Sequence, residues 1–293
     1  MRILTTTHLD EAGFLRVGAG RGGKRAELTA GCAPGIAGAG FIGDLTAASA
    51  DGDAFVRASL ETAIAWLRAR SLRRVWAPLN ASIWGGYRLM TRGFERTPFG
   101  GEPRNASWWP ECLARAGFAA HAHWYSWDLG EREMRALARR EQSAPRGFHL
   151  EPLESRTFDD QLERLRTIAS ACFRHNFAFS DISREAFARK FAFLREALRP
   201  GLGSFILDPD GETVGFYVGY VDPLECDRVV FYALGLLPSV RGRSLVYPMV
   251  VAPFFEAALA HGFRRAVSAL HTAGPTFLDG VAAASRQYTV FQI

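Results

Sequence analysis

A chain of 293 residues, 48% hydrophobic and 22% charged, is long and apolar enough for one large domain or two ordinary ones, which excludes a disordered polymer. The formal net charge of +5 is scattered rather than gathered into a block, so no specific nucleic-acid partner is expected, and a basic pocket for a phosphorylated ligand fits the same balance. Cys32, Cys112, Cys172 and Cys226 lie far apart with no CxxC pair, which reads as inert thiols of a cytoplasmic protein rather than as a disulfide framework.

Residues 1–9 run straight into Asp10 and Glu11 without an apolar core, so no signal peptide is expected. Residues 18–40 are rich in Gly and Ala and enclose Arg21-Gly22-Gly23-Lys24-Arg25. Without a clear preceding strand or the Walker spacing, this reads as a hairpin or mobile loop and not as a phosphate loop. A short strand is predicted over 41–45. An amphipathic helix follows over 54–70, where Phe55, Leu60, Ile64 and Leu67 recur at helical spacing. A strand over 73–79 ends at Asn80. The next stretch is irregular and aromatic, with Trp84, Tyr87, Trp108, Trp109, Trp124, Tyr125 and Trp127. His121 and His123 stand in it with no third ligand nearby, so no metal site is expected.

A charged helix over 131–142 is broken at Ser143-Ala144-Pro145-Arg146-Gly147, and the boundary between two halves is placed there, giving 1–145 and 146–293. The second half reads as a strand over 149–153, helices over 158–173 and 184–198, and strands over 203–207 and 213–222. The latter two flank the turn Asp208-Pro209-Asp210-Gly211. A strand over 229–237, a helix over 245–261, a strand over 264–270 and a last strand over 288–293 complete it. The stretch 245–259 is the most apolar, but it holds Pro248, Pro253 and Glu256 and falls short of the roughly 18 residues of a membrane span, so no membrane partner is expected. Pro253 should kink its helix.

Shifting the first half by 191 positions lays 41–45 on 232–236, 54–70 on 245–261 and Leu79-Asn80 on Leu270-His271. Few residues are identical, and the shared order of strand, loop, long helix and strand is what suggests a repeat. The loops before the two helices differ in chemistry. The first carries Asp51 and Asp53; the second is Pro238-Ser239-Val240-Arg241-Gly242-Arg243-Ser244. Free N–H groups and a partial positive charge gather at a helix start, so arginines there favour an anion and aspartates oppose one. Only the second half is expected to hold a phosphate group.

Leu234-Gly235-Leu236-Leu237-Pro238-Ser239-Val240-Arg241-Gly242-Arg243-Ser244, leaving a strand and entering a helix, resembles motif A of the Gcn5-related N-acetyltransferase (GNAT) superfamily. The order of elements across 149–293 is also similar. The first half resembles the partner domain of tandem members through Gly40-Phe41-Ile42-Gly43, Ala77-Pro78-Leu79-Asn80, Arg92-Gly93-Phe94 and Glu102-Pro103-Arg104-Asn105. The resemblance implies an α/β (α+β) fold of two tandem GNAT-like domains, each a mixed, mostly antiparallel sheet flanked by helices. Domain 1–145 would be degenerate, and 146–293 would carry the acyl-donor site. It implies an acyltransferase that moves an acyl group from acetyl-CoA or another acyl-CoA to a small amine or amino-acid-like acceptor. Two alternatives stay open: a donor on the phosphopantetheine arm of an acyl carrier protein, and a non-catalytic binding protein.

In that family the loop amides grip the pyrophosphate and a strand N–H polarises the thioester carbonyl. This implies donor contacts at Leu236, Leu237, Val240, Arg241, Gly242, Arg243 and Ser244, with the arginines otherwise solvated. Ser244 and Val246 depart from the family pattern, where glycine and a small residue are usual. Tyr288 is either the acid for the leaving thiolate or core packing. His271 is either a base or pantetheine contact, or a structural histidine. His175, with Asn176, Phe177 and Phe179, either covers the acceptor or joins two helices.

Overall fold

The computed structural model describes residues 4–21, 24–47, 53–140, 143–241 and 244–293. Asp51, Gly242 and Arg243 lie outside these residues, and Asp53 is described only as the first residue of a helix.

In the first half the order is β1 (Leu4–Leu9), β2 (Leu15–Arg21), β3 (Lys24–Cys32), β4 (Ala39–Ala47), α1 (Asp53–Arg68), β5 (Arg74–Ala77), β6 (Leu89–Arg92), α2 (Trp109–Arg115), β7 (Ala119–Leu129) and α3 (Glu131–Ala138). The second half runs β8 (His149–Pro152), α4 (Phe158–Phe173), α5 (Arg184–Phe191), α6 (Leu194–Ala197), β9 (Gly203–Leu207), β10 (Thr213–Val221), β11 (Arg228–Leu236), α7 (Ala252–Ala260), β12 (Arg265–Thr272) and β13 (Arg286–Gln292).

The Gly/Ala-rich segment is therefore the β2–β3 hairpin and its extension, not a loop. Its small residues alternate with Leu15, Val17 and Leu28, which bury one face under α1. In α1 the apolar spacing does what it predicts: Phe55, Val56, Leu60, Ala63, Ile64 and Leu67 are all buried. The Asp208 turn also forms, its carboxylate accepting from the N–H groups of Asp210 (3.0 Å) and Glu212 (2.9 Å). The helix predicted over 184–198 is instead two short ones, α5 and α6.

All thirteen described strands form one sheet in the order β1-β2-β3-β4-β5-β13-β7-β12-β11-β10-β9-β8, with β6 also pairing β13. The middle of this order joins the halves. β7, from the first half, lies between β12 and β13, while β13, the end of the chain, lies between β5 and β7. Each half thus completes its sheet with the other's last strand. The halves cannot part without breaking the β7–β13 ladder, which runs from Arg286↔Ser126 to Gln292↔Ala119.

Two buried arginines fasten the same seam. Arg228 donates to Asp222 (2.8 and 2.5 Å) and to the Pro98 carbonyl (2.6 Å). Arg286 lies 2.9 Å from Glu102 and 2.7 Å from Asp128, and donates to the Thr97 carbonyl (2.9 Å). Both hold a first-half segment against second-half strands.

The strand–helix–strand order is the same in the two halves, and β4 with β5, like β11 with β12, is parallel. The gapless shift is nonetheless out of register by two residues. Ala39 opposes Arg74, 35 positions on, whereas Arg228 opposes Arg265, 37 positions on. The second half spends the difference on a wider entry to its helix. That entry is a π-helical turn, Tyr247–Val251, in which the Ala252 N–H reaches back to the Tyr247 carbonyl. Pro253 has no N–H to give, and the π turn absorbs the irregularity where a kink is predicted.

Candidate functional site

The parallel ladder between β11 and β12 ends at Phe231 and Ser268. Beyond it the strands part, and a cavity of about 920 Å³ opens between them. Tyr232, Ala233, Leu234, Gly235 and Leu236 form one wall, and Ala269, Leu270, His271 and Thr272 the other. Two backbone irregularities open this wedge. On β11 the register with β10 skips a residue, so Phe231 and Ala233 face Gly219 and Val218 while Tyr232 has no residue opposite, as in a bulge. On β12 Leu270 has φ of 60°, unusual for a bulky side chain, and its N–H is held by the Ser126 hydroxyl of β7 at 3.0 Å.

The described residues of the first half include the same strand pair, here tied together at the corresponding point. The Leu79 N–H donates to the Ile42 carbonyl (2.9 Å), and the Asp44 N–H to the Asn80 side chain (2.9 Å). These bonds lash β4 to the segment after β5. A β-carbon on Gly43 would stand only 2.3 Å from the Leu79 carbonyl oxygen, so the strands are as close as a glycine allows.

The wall of the large cavity carries four cations, Arg88, Arg140, Lys190 and Arg241, and no carboxylate among the described residues. Arg241 turns inward: its Nε donates to the Leu236 carbonyl (3.0 Å) and its Nη2 to the Cys172 carbonyl (2.6 Å) at the end of α4. It pins the loop while bringing a positive charge to the cavity rim. Arg140, just after α3, donates to the Tyr247 hydroxyl at 3.0 Å, with its guanidinium 4.4 Å from that ring. Of the donor residues expected from sequence, Leu236 and Arg241 line the cavity. Leu237 donates its N–H to Val214, Val240 is buried in the core and Ser244 is exposed outside the wall.

His271 also lines the cavity. It lies among Phe231, Trp127 and Phe277, with Nε2 2.7 Å from the Ser268 hydroxyl. Burial lowers its pKa to about 4, so the ring is neutral at physiological pH. The unfolded chain holds a proton on this ring below its ordinary value of 6.5, whereas the folded chain holds one only near 4. Stability contributed by the neutral ring is therefore complete above pH 6.5 and lost as pH falls towards 4. The loss is up to about 3 kcal/mol, less whatever the partial exposure of the ring screens. The variant His271→Phe should lack this share of the acid-side decline in urea unfolding, and parallel curves for parent and variant between those pH values would disprove it.

Tyr288 is enclosed in the core between the halves and is absent from the cavity wall. Its hydroxyl donates to Glu102 at 2.6 Å, and burial together with that carboxylate raises its pKa, which makes it a poor proton donor. Among His175, Asn176, Phe177 and Phe179, only Asn176 borders the cavity. His175 is exposed, and the two phenylalanines pack into the first half, Phe177 on Trp76 (5.4 Å between centroids) and Phe179 on Trp84 (6.2 Å). The segment is a bridge to the first half, bonded to it through Ile83 N–H to Ala178 carbonyl (3.1 Å) and Trp84 Nε1 to Ser180 carbonyl (2.8 Å).

Sequence reading passes over Arg88, Arg140, Lys190 and Tyr232. Arg88 and the rings around it come from the irregular aromatic stretch, whose density of Trp and Tyr beside one arginine is the only local signal. Among the described residues there is no group of three or more His, Cys, Asp and Glu side chains placed to hold a metal, and no helix long and apolar enough to cross a membrane.

A sheet of paired α/β halves, each with a parallel strand pair flanking a helix and with the second pair splayed over a cavity, is a tandem acetyltransferase-like fold. The fold is that of the tandem GCN5-related N-acetyltransferases. Solved structures that share it include a tandem GNAT protein from the clavulanic acid biosynthesis pathway, 13% identical with a TM-score of 0.56 over 96% of this chain and 82% of that one. Another is a GCN5-related N-acetyltransferase from Sphaerobacter thermophilus, 11% identical with a TM-score of 0.52, covering 96% and 80% of the two chains. A third, from Enterococcus faecalis V583, is described as a probable N-acyltransferase; it is 9% identical with a TM-score of 0.54 over 96% of this chain and 62% of that one. Such identities speak for the fold alone. No protein-family model and no curated protein matches the sequence.

Proposed function

We propose that the protein is an acyltransferase that takes an acyl group from a coenzyme A thioester and passes it to a small amine. The carrying observation is that, among the described residues, the first strand pair is tied shut while the second is splayed, with cations and no carboxylate on its wall. A thioester arm would lie along β11, where strand N–H groups near the Tyr232 bulge are free of the ladder and positioned to polarise a carbonyl. Arg140 and Arg241 stand at the end that a pyrophosphate would reach. His271 is the one imidazole on the described wall; with a pKa near 4 it is a weak base, suited to accepting a hydrogen bond from the amine more than to holding its proton.

Val246 on the cavity wall and the exposed Ser244 favour a second donor, a phosphopantetheine arm carried by an acyl carrier protein, which needs fewer contacts at the loop. Thermal unfolding in the presence of coenzyme A and acetyl-CoA tests the proposal. A ligand at about 100 times its dissociation constant adds about 2.7 kcal/mol, on the order of 5 °C for a chain of this size. A shift only with an acylated carrier protein would select the second donor. No shift with any of them would leave a non-catalytic binding protein.

A further inference from the structure

Three arginines line or adjoin the seam between the halves: Arg228 and Arg286 are buried and ion-paired, and Arg88 is half-buried. Arg228 has Asp222 and Glu225, and Arg286 has Glu102 and Asp128. Arg88, immediately before β6, has neither an ion pair nor a side-chain hydrogen bond among the described residues. Its Nη1 is buried without a partner. Its guanidinium lies 4.1 Å from the ring of Tyr87 and 4.8 Å from that of Trp124. The ionisable groups that act on it are the hydroxyls of Tyr87, Tyr232 and Tyr288, and none is a carboxylate. Burial pushes its pKa down, as expected for a cation left without a counter-ion.

A guanidinium with a buried nitrogen left unpartnered is a costly arrangement for a fold to hold. This one borders the large cavity in a wall shared with Tyr232, at the point where β11 and β12 part. A second cavity of about 510 Å³ borders the same wall through Gly101, Lys190, Phe191 and Tyr232, so there is room for an acceptor body. A guanidinium fork matches a carboxylate in two parallel bonds, and the rings of Tyr87 and Trp124 flank this one.

We propose that Arg88 anchors the carboxylate of the acceptor, so that the acceptor is an amino acid or a related amino-carboxylate. This rests on the acyltransferase reading for the word acceptor, but the carboxylate site itself can be tested without it. Free phosphate is the other anion that the fork would accept.

The test is thermal unfolding of the full chain against the common α-amino acids, their amides and inorganic phosphate, each with and without coenzyme A. At least one amino acid should raise the melting temperature, and its amide should need a concentration on the order of tenfold to a hundredfold higher. In Arg88→Met that difference should vanish, and the variant should melt at or above the parent temperature because a half-buried, unpaired charge is gone. Arg88→Lys should keep part of the response. A merely structural Arg88 would instead give a lower melting temperature in Arg88→Met with ligand response intact, and that result overturns the assignment. So do equal responses to acid and amide, a response to phosphate alone, or no response to any amino acid. A coenzyme A shift that persists in those cases leaves the donor reading standing. Its absence beside an intact amino-acid response removes the donor reading and keeps the Arg88 site.

Discussion

Charge reversal at the donor end, with Arg140→Glu and Arg241→Glu combined, should weaken coenzyme A binding by about a hundredfold or more. Arg241 stands where β11 enters its loop and Arg140 beside Tyr247 of the π-helical turn, and the cavity wall has no acidic residue among the described residues. A charge-assisted hydrogen bond is worth roughly 1.5–3 kcal/mol, and replacing a favourable charge by a repelling one at a partly desolvated rim adds to its loss. Two such losses exceed the 2.7 kcal/mol that a hundredfold represents, about 1.4 kcal/mol per tenfold. Arg241 also ties the loop to the end of α4 through the Cys172 carbonyl, so Arg241→Met is the necessary control. It removes the tie without reversing the field, and should lose less affinity than the glutamate. Calorimetric titration gives the affinities, and circular dichroism melting checks the fold. Parent-like affinity in the double variant would mean that the phosphate groups bind elsewhere.

Asp222→Ala should cost about 3–5 kcal/mol, on the order of 10 °C in melting temperature. The Asp222 carboxylate is fully buried; it accepts two bonds from Arg228 and one each from the N–H groups of Gly100 (3.0 Å) and Leu224 (2.9 Å). Truncation leaves the Arg228 charge buried with Glu225 alone and frees the Gly100 segment that floors both cavities. Removing both charges, as in Asp222→Leu with Arg228→Met, should recover most of the loss, because the penalty comes from the unpaired ion rather than from the missing attraction. Urea unfolding of the two variants decides it. A single-variant loss under 1 kcal/mol, or a double variant no better than the single, would contradict the account.

The second half was readable because its strands and helices each carry a local pattern. The apolar runs over β9, β10 and β11 are buried on both faces, the Asp208 turn has its own chemistry, and the Arg241 loop sits between a strand and a helix start. The same holds for α1. What failed in the sequence failed for one reason, that the element concerned gets its environment from residues far along the chain. β7 shows no alternation because Trp124, Ser126, Trp127 and Leu129 are all buried, on both faces, between β12 of one half and β13 of the other. Tyr288 reads as either an acid or core packing, and the choice falls to packing because β13 crosses to the first half and buries it against Glu102. Phe177 and Phe179 read as either a lid or a join between two helices, and the bridge they belong to packs them on first-half rings instead.

The amino-acid sequence by itself determined the periodicities, the turns and the tandem fold class, all of which depend on neighbours within about a dozen residues. Tertiary structure alone decided the exchange of last strands, the closed first cleft and open second one, and the isolation of Arg88. Whether a strand pair parts depends on which hydrogen bonds cross it, and whether a buried charge is compensated depends on every side chain around it. Neither quantity exists until distant segments meet.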